Sequence, residues 1–440
     1  MPRQGSRRPM RIRPPARSPS RTRSGPKRSW RSQARADRRH GGADRHREAE
    51  AVAGPSTYQA PLREPAEPLP FYAFTMQERL LAEKLIGYDT STAEGVRLCA
   101  GFIKGWFEAR DIPTRQLTVR DLPIVVAEVG PPGPQPIIFH GHIDVVPARP
   151  GQFDPILDGD RLYGRGAYDM KGAAAAMMLA LADLREQDDV RVVLALVPDE
   201  ETTEEHDRGT GVLVEAGYTG RFAITGEPTD MLIGVAAKGV LVLRIEVAGR
   251  AAHSSTPWKG DNAIVKAIAV FRAIEALPFS QQSSDLFDRP SINLGRIAGG
   301  DALNKVPDTC VIDVDIRHLP EQEPEEILEQ IGTIPDTDVV STFRWPPVDV
   351  DPASPFVRAL GDAARPNHAD EVTSIGRDGA SDAVAFIRAG TPAVEFGPVG
   401  GGHHGPEEWV SVASLAAYRR TLCDFARRAP ARREAGEVIL

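Results

Sequence analysis

Short apolar runs recur along the chain, and four of them are followed by histidine or acidic side chains. The runs lie at residues 136–139, 190–197, 221–225 and 392–396, and their lengths suit buried strands. Segments with helical spacing separate several of them. Buried parallel strands that alternate with helices form an α/β sheet, in which functional sites lie beyond the carboxyl ends of the strands. The sequence therefore predicts an α/β fold with a polar site at one sheet edge.

The polar residues after these runs are of the types that bind divalent cations. In chain order they are His142, Asp144, Glu200, Glu201, Glu227, His403 and His404. A further polar cluster delivers Asp169 just before an alanine-rich helix. Imidazole and carboxylate ligands without thiolates suit zinc, and a shared carboxylate can hold two ions about 3.5 to 4 Å apart. The sequence therefore predicts two divalent ions, with zinc favoured and cobalt or manganese as alternatives.

The carboxylates close to the candidate ligands can differ in role. Asp144 lies two residues from His142, where it can accept the other imidazole N–H and fix the orientation of the ring. Glu200 and Glu201 cannot point the same way in an extended segment, because successive side chains alternate. One of the two can bind metal while the other stays free to take a proton.

Between residues 238 and 346 the sequence pattern changes. This segment predicts a strand, a helix, two strands and a further helix, which form a compact α+β unit. We expect it to be a domain inserted into a discontinuous catalytic domain, which comprises residues 71–237 and 347–430. Residues 431–440 are expected to be a tail.

The first 70 residues differ in composition from the rest of the chain. Residues 1–50 carry 16 Lys and Arg against 4 Asp and Glu. Apolar residues are too sparse in residues 1–70 to offset the entropy of an ordered chain, so this leader is predicted to be disordered. Its arginines suit nucleic-acid contact, but no RNA-binding motif accompanies them. A dispensable leader is therefore favoured over nucleic-acid binding, and Met76 is an alternative start of the protein.

Cysteine usage and hydropathy exclude other classes of protein. Cys99, Cys310 and Cys423 lie far apart and show no CxxC spacing, which argues against a disulfide framework or a thiolate zinc site. No apolar run reaches the roughly 18 residues of a membrane span, and no apolar segment typical of a secretory signal follows the basic N-terminus. We therefore expect a cytoplasmic protein without membrane contact.

Six motifs together resemble one enzyme family. In chain order they are GHIDVVP, GRGAYDMKG, PDEET, GEPT, RAAHSSTP and HHGPEEW. Over residues 76–430 the chain is similar to the dinuclear zinc amidohydrolases that include acetylornithine deacetylase, succinyl-diaminopimelate desuccinylase, aminoacylase and carboxypeptidase G. The resemblance implies a zinc-peptidase-like catalytic domain, with a mixed, largely parallel central sheet flanked by helices, and an inserted α+β dimerisation or lid domain.

The resemblance also implies which residues bind metal. In this family pattern, His142 and Glu227 hold one zinc ion, Glu201 and His404 hold the other, and Asp169 bridges the two ions. The motif HGPEE replaces a commoner His-x-Pro-Asp-Glu pattern, which leaves His403 as an alternative. His404 is preferred because of its spacing to the proline and glutamate that follow.

Further roles are implied for residues around the ions. Glu200 resembles the general base that activates water, with Asp144 beside it as a supporting catalytic residue. His253 matches a histidine that in relatives reaches the active site of the partner subunit and stabilises the tetrahedral oxyanion, which implies a homodimer. Asn304 and Arg317 correspond to lid residues that contact substrate, and an arginine suits capture of a carboxylate.

These expectations converge on a small-molecule hydrolase. Glu rather than Asp at position 227 resembles the deacylase and carboxypeptidase branches of the family, and residues 379–382 resemble a loop that lines the pocket. We expect hydrolysis of an N-acyl amino acid or small peptide that has a free carboxylate. The alternatives are a dipeptidase or tripeptidase of the same fold, and a non-catalytic dimeric binding protein, against which the presence of Glu200 argues.

Overall fold

The computed structural model describes residues 75–133, 135–201, 208–367 and 373–430. The predictions for the leader at residues 1–70 and for the tail at 431–440 lie outside these residues. In the part of the chain that is described, no helix combines the length and the apolar character that a membrane span requires.

Helices alternate with strands along the chain. They are α1 (Met76–Ile86), α2 (Ala93–Glu108), α3 (Gly172–Asp183), α4 (Gly209–Glu215), α5 (Ala263–Glu275), α6 (Pro324–Gly332), α7 (Pro355–Ala364), α8 (Ala383–Arg388) and α9 (Val412–Arg428). In α2, the Thr92 hydroxyl accepts a hydrogen bond from the main-chain N–H of Gly95 and so caps the first turn. The buried residues Val96, Ile103 and Phe107 follow at helical spacing and join the core.

The strands of the described residues form three sheets. They are β1 (Thr114–Val119), β2 (Leu122–Val129), β3 (Ile137–His142), β4 (Ile156–Asp158), β5 (Arg161–Tyr163), β6 (Val192–Val197), β7 (Phe222–Thr225), β8 (Ile233–Ala237), β9 (Gly239–Ala248), β10 (Ser291–Gly299), β11 (Thr309–His318), β12 (Thr337–Trp345), β13 (Val348–Asp349), β14 (Ser374–Arg377), β15 (Ala393–Glu395), β16 (Gly400–Gly401) and β17 (Trp409–Ser411). The small sheet has the order β16-β17-β5-β4.

The central sheet confirms the predicted mixed α/β fold. Among the described residues its strand order is β1-β2-β6-β3-β7-β15-β8-β13, with β14 paired to β8. Strands β6, β3, β7 and β15 are parallel neighbours, and all four are buried along their length. Parallel neighbours end at the same edge of a sheet, so the residues that follow these four strands are brought together there.

The region between residues 239 and 345 has a sheet and a core of its own. Strands β10, β11, β9 and β12 form an antiparallel sheet in that order. Its apolar cluster, which includes Leu243, Ile274 and Ile312, is separate from the core around the central sheet. The sequence predicted three of these strands but missed β12, whose residues are mostly exposed or half-buried. The boundaries of an inserted domain stay a prediction.

Candidate metal centre

Carboxylate and imidazole groups converge beyond the parallel strands of the central sheet. Strand β3 ends in His142, β6 is followed by Glu200 and Glu201, β7 by Glu227, and β15 leads into the turn that carries the two adjacent histidines. The site therefore lies at the sheet edge that the sequence predicts, and Asp169 joins it from the segment before α3.

One side of the Asp169 carboxylate faces His142. Asp169 Oδ1 lies 3.0 Å from His142 Nε2, and Glu227 Oε1 lies 3.8 Å from the same imidazole nitrogen. All three side chains are largely buried. A nitrogen and two carboxylates so close together match the donor set of a divalent cation.

The other oxygen of Asp169 faces the two adjacent histidines. Asp169 Oδ2 lies 2.5 Å from His403 Nε2 and 3.2 Å from His404 Nε2. His404 Nε2 also lies 3.0 Å from Glu201 Oε1, whereas His403 makes no hydrogen bond or ion pair with Glu201 in the described chain. Both histidines therefore reach Asp169, and His404 reaches two of the candidate ligands.

The hydrogen bonding of His142 fixes which of its nitrogens can bind a cation. His142 Nδ1 lies 2.9 Å from the main-chain oxygen of Asp144 and 3.5 Å from its carboxylate. A carbonyl oxygen only accepts, so Nδ1 must carry the hydrogen in this contact. Nε2 is then left unprotonated in the neutral ring, with its lone pair towards Asp169. The nearer acceptor is thus the main-chain oxygen of Asp144, and the carboxylate that the sequence predicts in this role lies farther from Nδ1, at 3.5 Å.

The Asp144 carboxylate instead organises the loop after β6. Its Oδ1 accepts the main-chain N–H of Glu200 at 3.1 Å, and its Oδ2 accepts that of Glu201 at 2.9 Å. Two consecutive N–H groups held on one carboxylate fix the local backbone. The two glutamate side chains then have different surroundings: that of Glu201 contacts His404, and that of Glu200 makes no hydrogen bond within the described residues.

The electrostatics of the cluster favour a bound cation. Burial raises the pKa of Glu227 well above its usual range, and the nearby Asp169 adds to the shift. Burial likewise raises the pKa of Glu200 to about 8. Contacts with Asp169 and Glu201 raise the pKa of His404 to about 10. Contacts with Asp144 and Asp169 outweigh burial and raise the pKa of His142 well above its usual range. The carboxylates thus favour positive charge at the imidazoles, and a divalent cation would supply that charge in place of the protons. The residues present therefore fit the metal ions that the sequence predicts.

A tight turn positions the two histidines. Strand β16, at Gly400–Gly401, pairs with β17, so these glycines belong to an ordered hairpin. Gly402 has a φ of +73°, and a Cβ there would lie 2.4 Å from the main-chain oxygen of Glu407. The N–H of Gly405 closes the turn onto the oxygen of Gly402 at 2.7 Å. Only glycine fits position 402, because a side chain there would meet the backbone.

Glu408 anchors the segment that carries Asp169, a role that the sequence analysis missed. Its buried carboxylate accepts the main-chain N–H groups of Tyr168 and Asp169 at 3.0 and 3.1 Å. The other oxygen pairs with Arg165 at 2.5 Å, and Arg165 also donates to the main-chain oxygen of His404. Glu408 therefore links the Asp169 segment to the histidine turn.

Replacing Glu408 with Ala is expected to lower the free energy of unfolding by about 3 to 5 kcal/mol, because it leaves the buried Arg165 cation unpaired. Urea unfolding followed by circular dichroism measures this change. The matched control is Glu407→Ala, one residue away on the exposed side of the turn, which is expected to change stability by less than about 0.5 kcal/mol. Equal effects of the two substitutions would contradict the anchoring role.

The predicted lid residues lie in the region of residues 239–345. His253 is exposed and its Nδ1 lies 2.8 Å from the Ser255 hydroxyl. Asn304 is exposed, and Arg317 donates to both carboxylate oxygens of Asp315 at 2.8 and 3.1 Å. In the described chain, no hydrogen bond or ion pair joins these three predicted residues to the candidate metal ligands.

Arg377 lies nearer the centre, at the end of β14, and was not singled out from the sequence. Its Nε donates to the buried Glu395 carboxylate at 2.8 Å. Its remaining nitrogens make no hydrogen bond within the described residues, and its charge interacts with the carboxylates of Glu395 and Glu227. The only available signal was its position just before the predicted pocket loop at residues 379–382.

Comparison with known proteins gives a consistent result. The family described as peptidase family M20/M25/M40 matches residues 138–428. Acetylornithine deacetylase of Myxococcus xanthus is 34% identical over 280 residues, which cover 59% of this chain and 70% of that protein. Succinyl-diaminopimelate desuccinylase of Gluconacetobacter diazotrophicus is 29% identical over 387 residues, which cover 81% of this chain and 96% of that protein.

The fold is also similar to that of a solved structure. The crystal structure of an M20 family metallo-carboxypeptidase of Sulfolobus solfataricus superposes with a TM-score of 0.65 at 18% identity, covering 80% of this chain and 98% of that chain. At this identity the similarity concerns the fold alone.

Proposed function

Because the chain belongs to peptidase family M20/M25/M40, we propose that it hydrolyses an amide bond of an N-acyl amino acid or small peptide that has a free carboxylate. One observation carries this proposal. The two carboxylate oxygens of Asp169 face different histidines, His142 on one side and His404 on the other, at 3.0 and 3.2 Å. This is the arrangement that a carboxylate bridging two cations requires.

The ligands divide into two sets around that carboxylate. His142 and Glu227 would hold one ion, Glu201 and His404 the other, and Asp169 would contact both. Nitrogen and oxygen donors without thiolate favour zinc, with cobalt or manganese as alternatives. When bound, such ions polarise the scissile carbonyl and lower the pKa of water towards neutrality.

Glu200 is proposed as the general base. Its main-chain N–H is fixed on Asp144, while its carboxylate makes no hydrogen bond within the described residues and so stays open to a water molecule. Nearby cations would lower its raised pKa and keep it ionised before the reaction. Glu200 would then accept a proton from the attacking water and donate it to the leaving amine.

Two arginines are candidates for binding the substrate carboxylate. Arg317 already pairs with Asp315 through two of its nitrogens, whereas Arg377, among the residues that the structure describes, hydrogen-bonds to Glu395 through Nε alone. The free Nη1 and Nη2 of Arg377 present the planar edge that binds carboxylate in a bidentate way. The similarity to a deacetylase and a desuccinylase supports acylated amino compounds as substrates.

The proposal is tested by screening the zinc-, cobalt- and manganese-loaded protein against N-acetyl, N-succinyl and N-carbamoyl amino acids and against dipeptides and tripeptides. We expect hydrolysis of at least one acylated amino acid, and much slower hydrolysis of its α-carboxamide. Exclusive cleavage of peptides with a free amino group would favour the dipeptidase or tripeptidase alternative. Binding without turnover of any compound would favour a non-catalytic binding protein.

We also propose that the protein is a homodimer in which His253 acts on the partner's site. The exposed His253 lies in a region whose surface carries the apolar side chains Trp258, Val265 and Leu303, which are 75%, 63% and 103% exposed. Exposed apolar side chains of this size suit a protein interface.

Mixing variants tests this arrangement. His253→Ala is expected to lower turnover while dimers persist in analytical ultracentrifugation, because the substitution removes an oxyanion donor without removing apolar surface. Co-expression of His253→Ala with Glu200→Ala chains is expected to restore part of the activity, since one site of each mixed dimer then has both intact residues. A complete absence of rescue in isolated mixed dimers would argue against a shared residue.

Cysteine usage supports a cytoplasmic location for this activity. Cys99, Cys310 and Cys423 are buried, and none forms a disulfide bond within the described chain. Free thiols of this kind suit a reducing compartment.

A further inference from the structure

A buried polar cluster lies behind the proposed base. His140, Thr210 and Asp382 are 1%, 1% and 2% exposed. His140 Nε2 lies 3.0 Å from the Thr210 hydroxyl oxygen, and that hydroxyl donates to Asp382 Oδ2 at 2.5 Å. The Thr210 hydroxyl has one hydrogen, so it accepts from His140 Nε2–H while it donates to the carboxylate. This arrangement holds Asp382 in one orientation.

Asp382 needs a cation that this hydrogen-bonded chain does not supply. His140 Nδ1 is buried and makes no hydrogen bond within the described residues, which suits a neutral ring with its hydrogen on Nε2. The second carboxylate oxygen of Asp382, Oδ1, is buried and makes no hydrogen bond within the described residues. Arg208 Nη1 lies 3.5 Å from that oxygen. A buried carboxylate next to a guanidinium is a stable arrangement only while both partners are present.

The same guanidinium faces the proposed base. Arg208 Nη1 lies 3.9 Å from Glu200 Oε1, and the Arg208 guanidinium lies 5.3 Å from the centre of the Trp345 ring. Trp345 is itself held by a hydrogen bond from its indole N–H to the main-chain oxygen of Ser381. Arg208 is thus confined between an aromatic ring and two carboxylates. Among the described residues, it is the only cation within 4 Å of the Glu200 side chain.

We propose that Arg208 is a positioning residue that orients the Glu200 carboxylate for proton transfer, and that Asp382, fixed by Thr210, holds Arg208 in place. This inference rests on the proposed function, because it takes Glu200 as the base. The main chain of Glu200 is fixed through Asp144, but its side-chain torsions need a second anchor. Arg208 is the side chain in reach that can provide one.

Binding of the substrate carboxylate by Arg208 is the competing role, and the charges oppose it. Two carboxylates already flank the guanidinium, so a third negative charge would meet net repulsion. The two roles differ in kinetics. A positioning residue acts on kcat and acts equally on substrates with and without a carboxylate, whereas a carboxylate-binding residue acts on KM and on carboxylate substrates alone.

The test compares Arg208→Met and Arg208→Lys with wild type on the best N-acyl amino acid and on its α-carboxamide. Arg208→Met is expected to lower kcat by roughly 10- to 100-fold on both compounds, because a small displacement of a reacting group has effects of this size. KM and metal content are expected to stay near wild type. Arg208→Lys, which keeps the positive charge, is expected to recover part of the rate. It also provides a second variant for the test if Arg208→Met does not fold.

Two further measurements separate positioning from general destabilisation. Arg365→Met is the matched control, since the Arg365 side chain is 73% exposed and its ion-pair partner among the described residues is Asp362, three residues earlier. A crystal structure of Arg208→Met is expected to show the Glu200 carboxylate in a changed or multiple orientation. In a Glu200→Gln background, adding Arg208→Met is expected to cause no further loss, because the two residues act as one unit.

The following results would overturn the inference. They are a rise in KM confined to the carboxylate substrate, an unchanged Glu200 orientation in the Arg208→Met structure, and an equal additional loss in the Glu200→Gln background. Failure of the proposed function would be seen separately, because wild type itself would then hydrolyse no acylated amino acid. The structural readout on Glu200 would still decide the orienting role of Arg208 in that case.

Discussion

The Glu200→Ala variant and wild type are both expected to bind about two divalent ions per chain, while turnover of the variant falls by about a thousandfold to ten-thousandfold. Glu200 makes no contact with the Asp169 carboxylate or its histidines that is short enough to be a hydrogen bond or ion pair, so its loss should leave the ligands in place. The Glu200 carboxylate lies beside the centre but is not a proposed ligand of either ion. Inductively coupled plasma mass spectrometry and steady-state kinetics on the same preparation measure both quantities.

The matched control for this prediction is Glu215→Ala, a glutamate that is exposed at the end of α4. It is expected to keep both full activity and full metal content. Retained activity in Glu200→Ala would remove the assignment of the base. If Glu200→Ala instead loses both activity and one of the two ions, Glu200 would be a metal ligand. Glu201 would then be the candidate for the general base.

The position of the site was predictable because it depends on local patterns. Strands β6 and β7 are continuous apolar runs, and the predicted bounds, 190–197 and 221–225, differ from Val192–Val197 and Phe222–Thr225 by at most two residues. Parallel strands of this kind share one carboxyl edge, so the residues that follow them were expected to meet. No contact between distant segments had to be known in advance.

Strand β3 shows where a local pattern stops being informative. The prediction ended it at residue 139, whereas the strand continues through Gly141 to His142. His140 looks like a residue of an exposed loop, but it is buried, and its ring nitrogen contacts Thr210, 70 residues later in the chain. A polar residue can lie inside a buried strand when a residue distant in the sequence forms a hydrogen bond with its side chain. The periodicity of the sequence does not reveal that partner.

The supporting contacts of the site could not be predicted for the same reason. Arg165 pairs with Glu408 across 243 residues, and Arg208 lies beside Asp382, which is also distant in the sequence. Arg317 shows the opposite case, since its neighbour in sequence, Asp315, already occupies two of its nitrogens. An arginine in a family motif therefore indicates a position in the fold, while its availability to substrate depends on the charges that surround it.

The Asp169→Ala variant is expected to lose both ions. Asp169 is the one candidate ligand that contacts histidines on both sides of the centre, at 3.0 Å for His142 and 3.2 Å for His404. Without it, each proposed ion would keep two protein ligands, fewer than the three that catalytic zinc sites use. Wild type is expected to gain about 2.7 kcal/mol of stability at a free zinc concentration of about 100 times Kd, and Asp169→Ala is expected to gain none. Calorimetric melting with and without zinc measures this difference, and the exposed Asp158→Ala serves as the control.

Measuring the metal content of variants at the two adjacent histidines shows which of them is the ligand. His404 contacts both Asp169 and Glu201, whereas His403 contacts Asp169 alone among these ligands. We therefore expect His404→Ala to bind about one ion per chain and His403→Ala to bind about two, because only the first removes a ligand of the second site. The reverse result would move the ligand to His403. Full metal content in Asp169→Ala would contradict the proposed mechanism itself. Two ions that bind without the Asp169 carboxylate do not depend on it as a bridge.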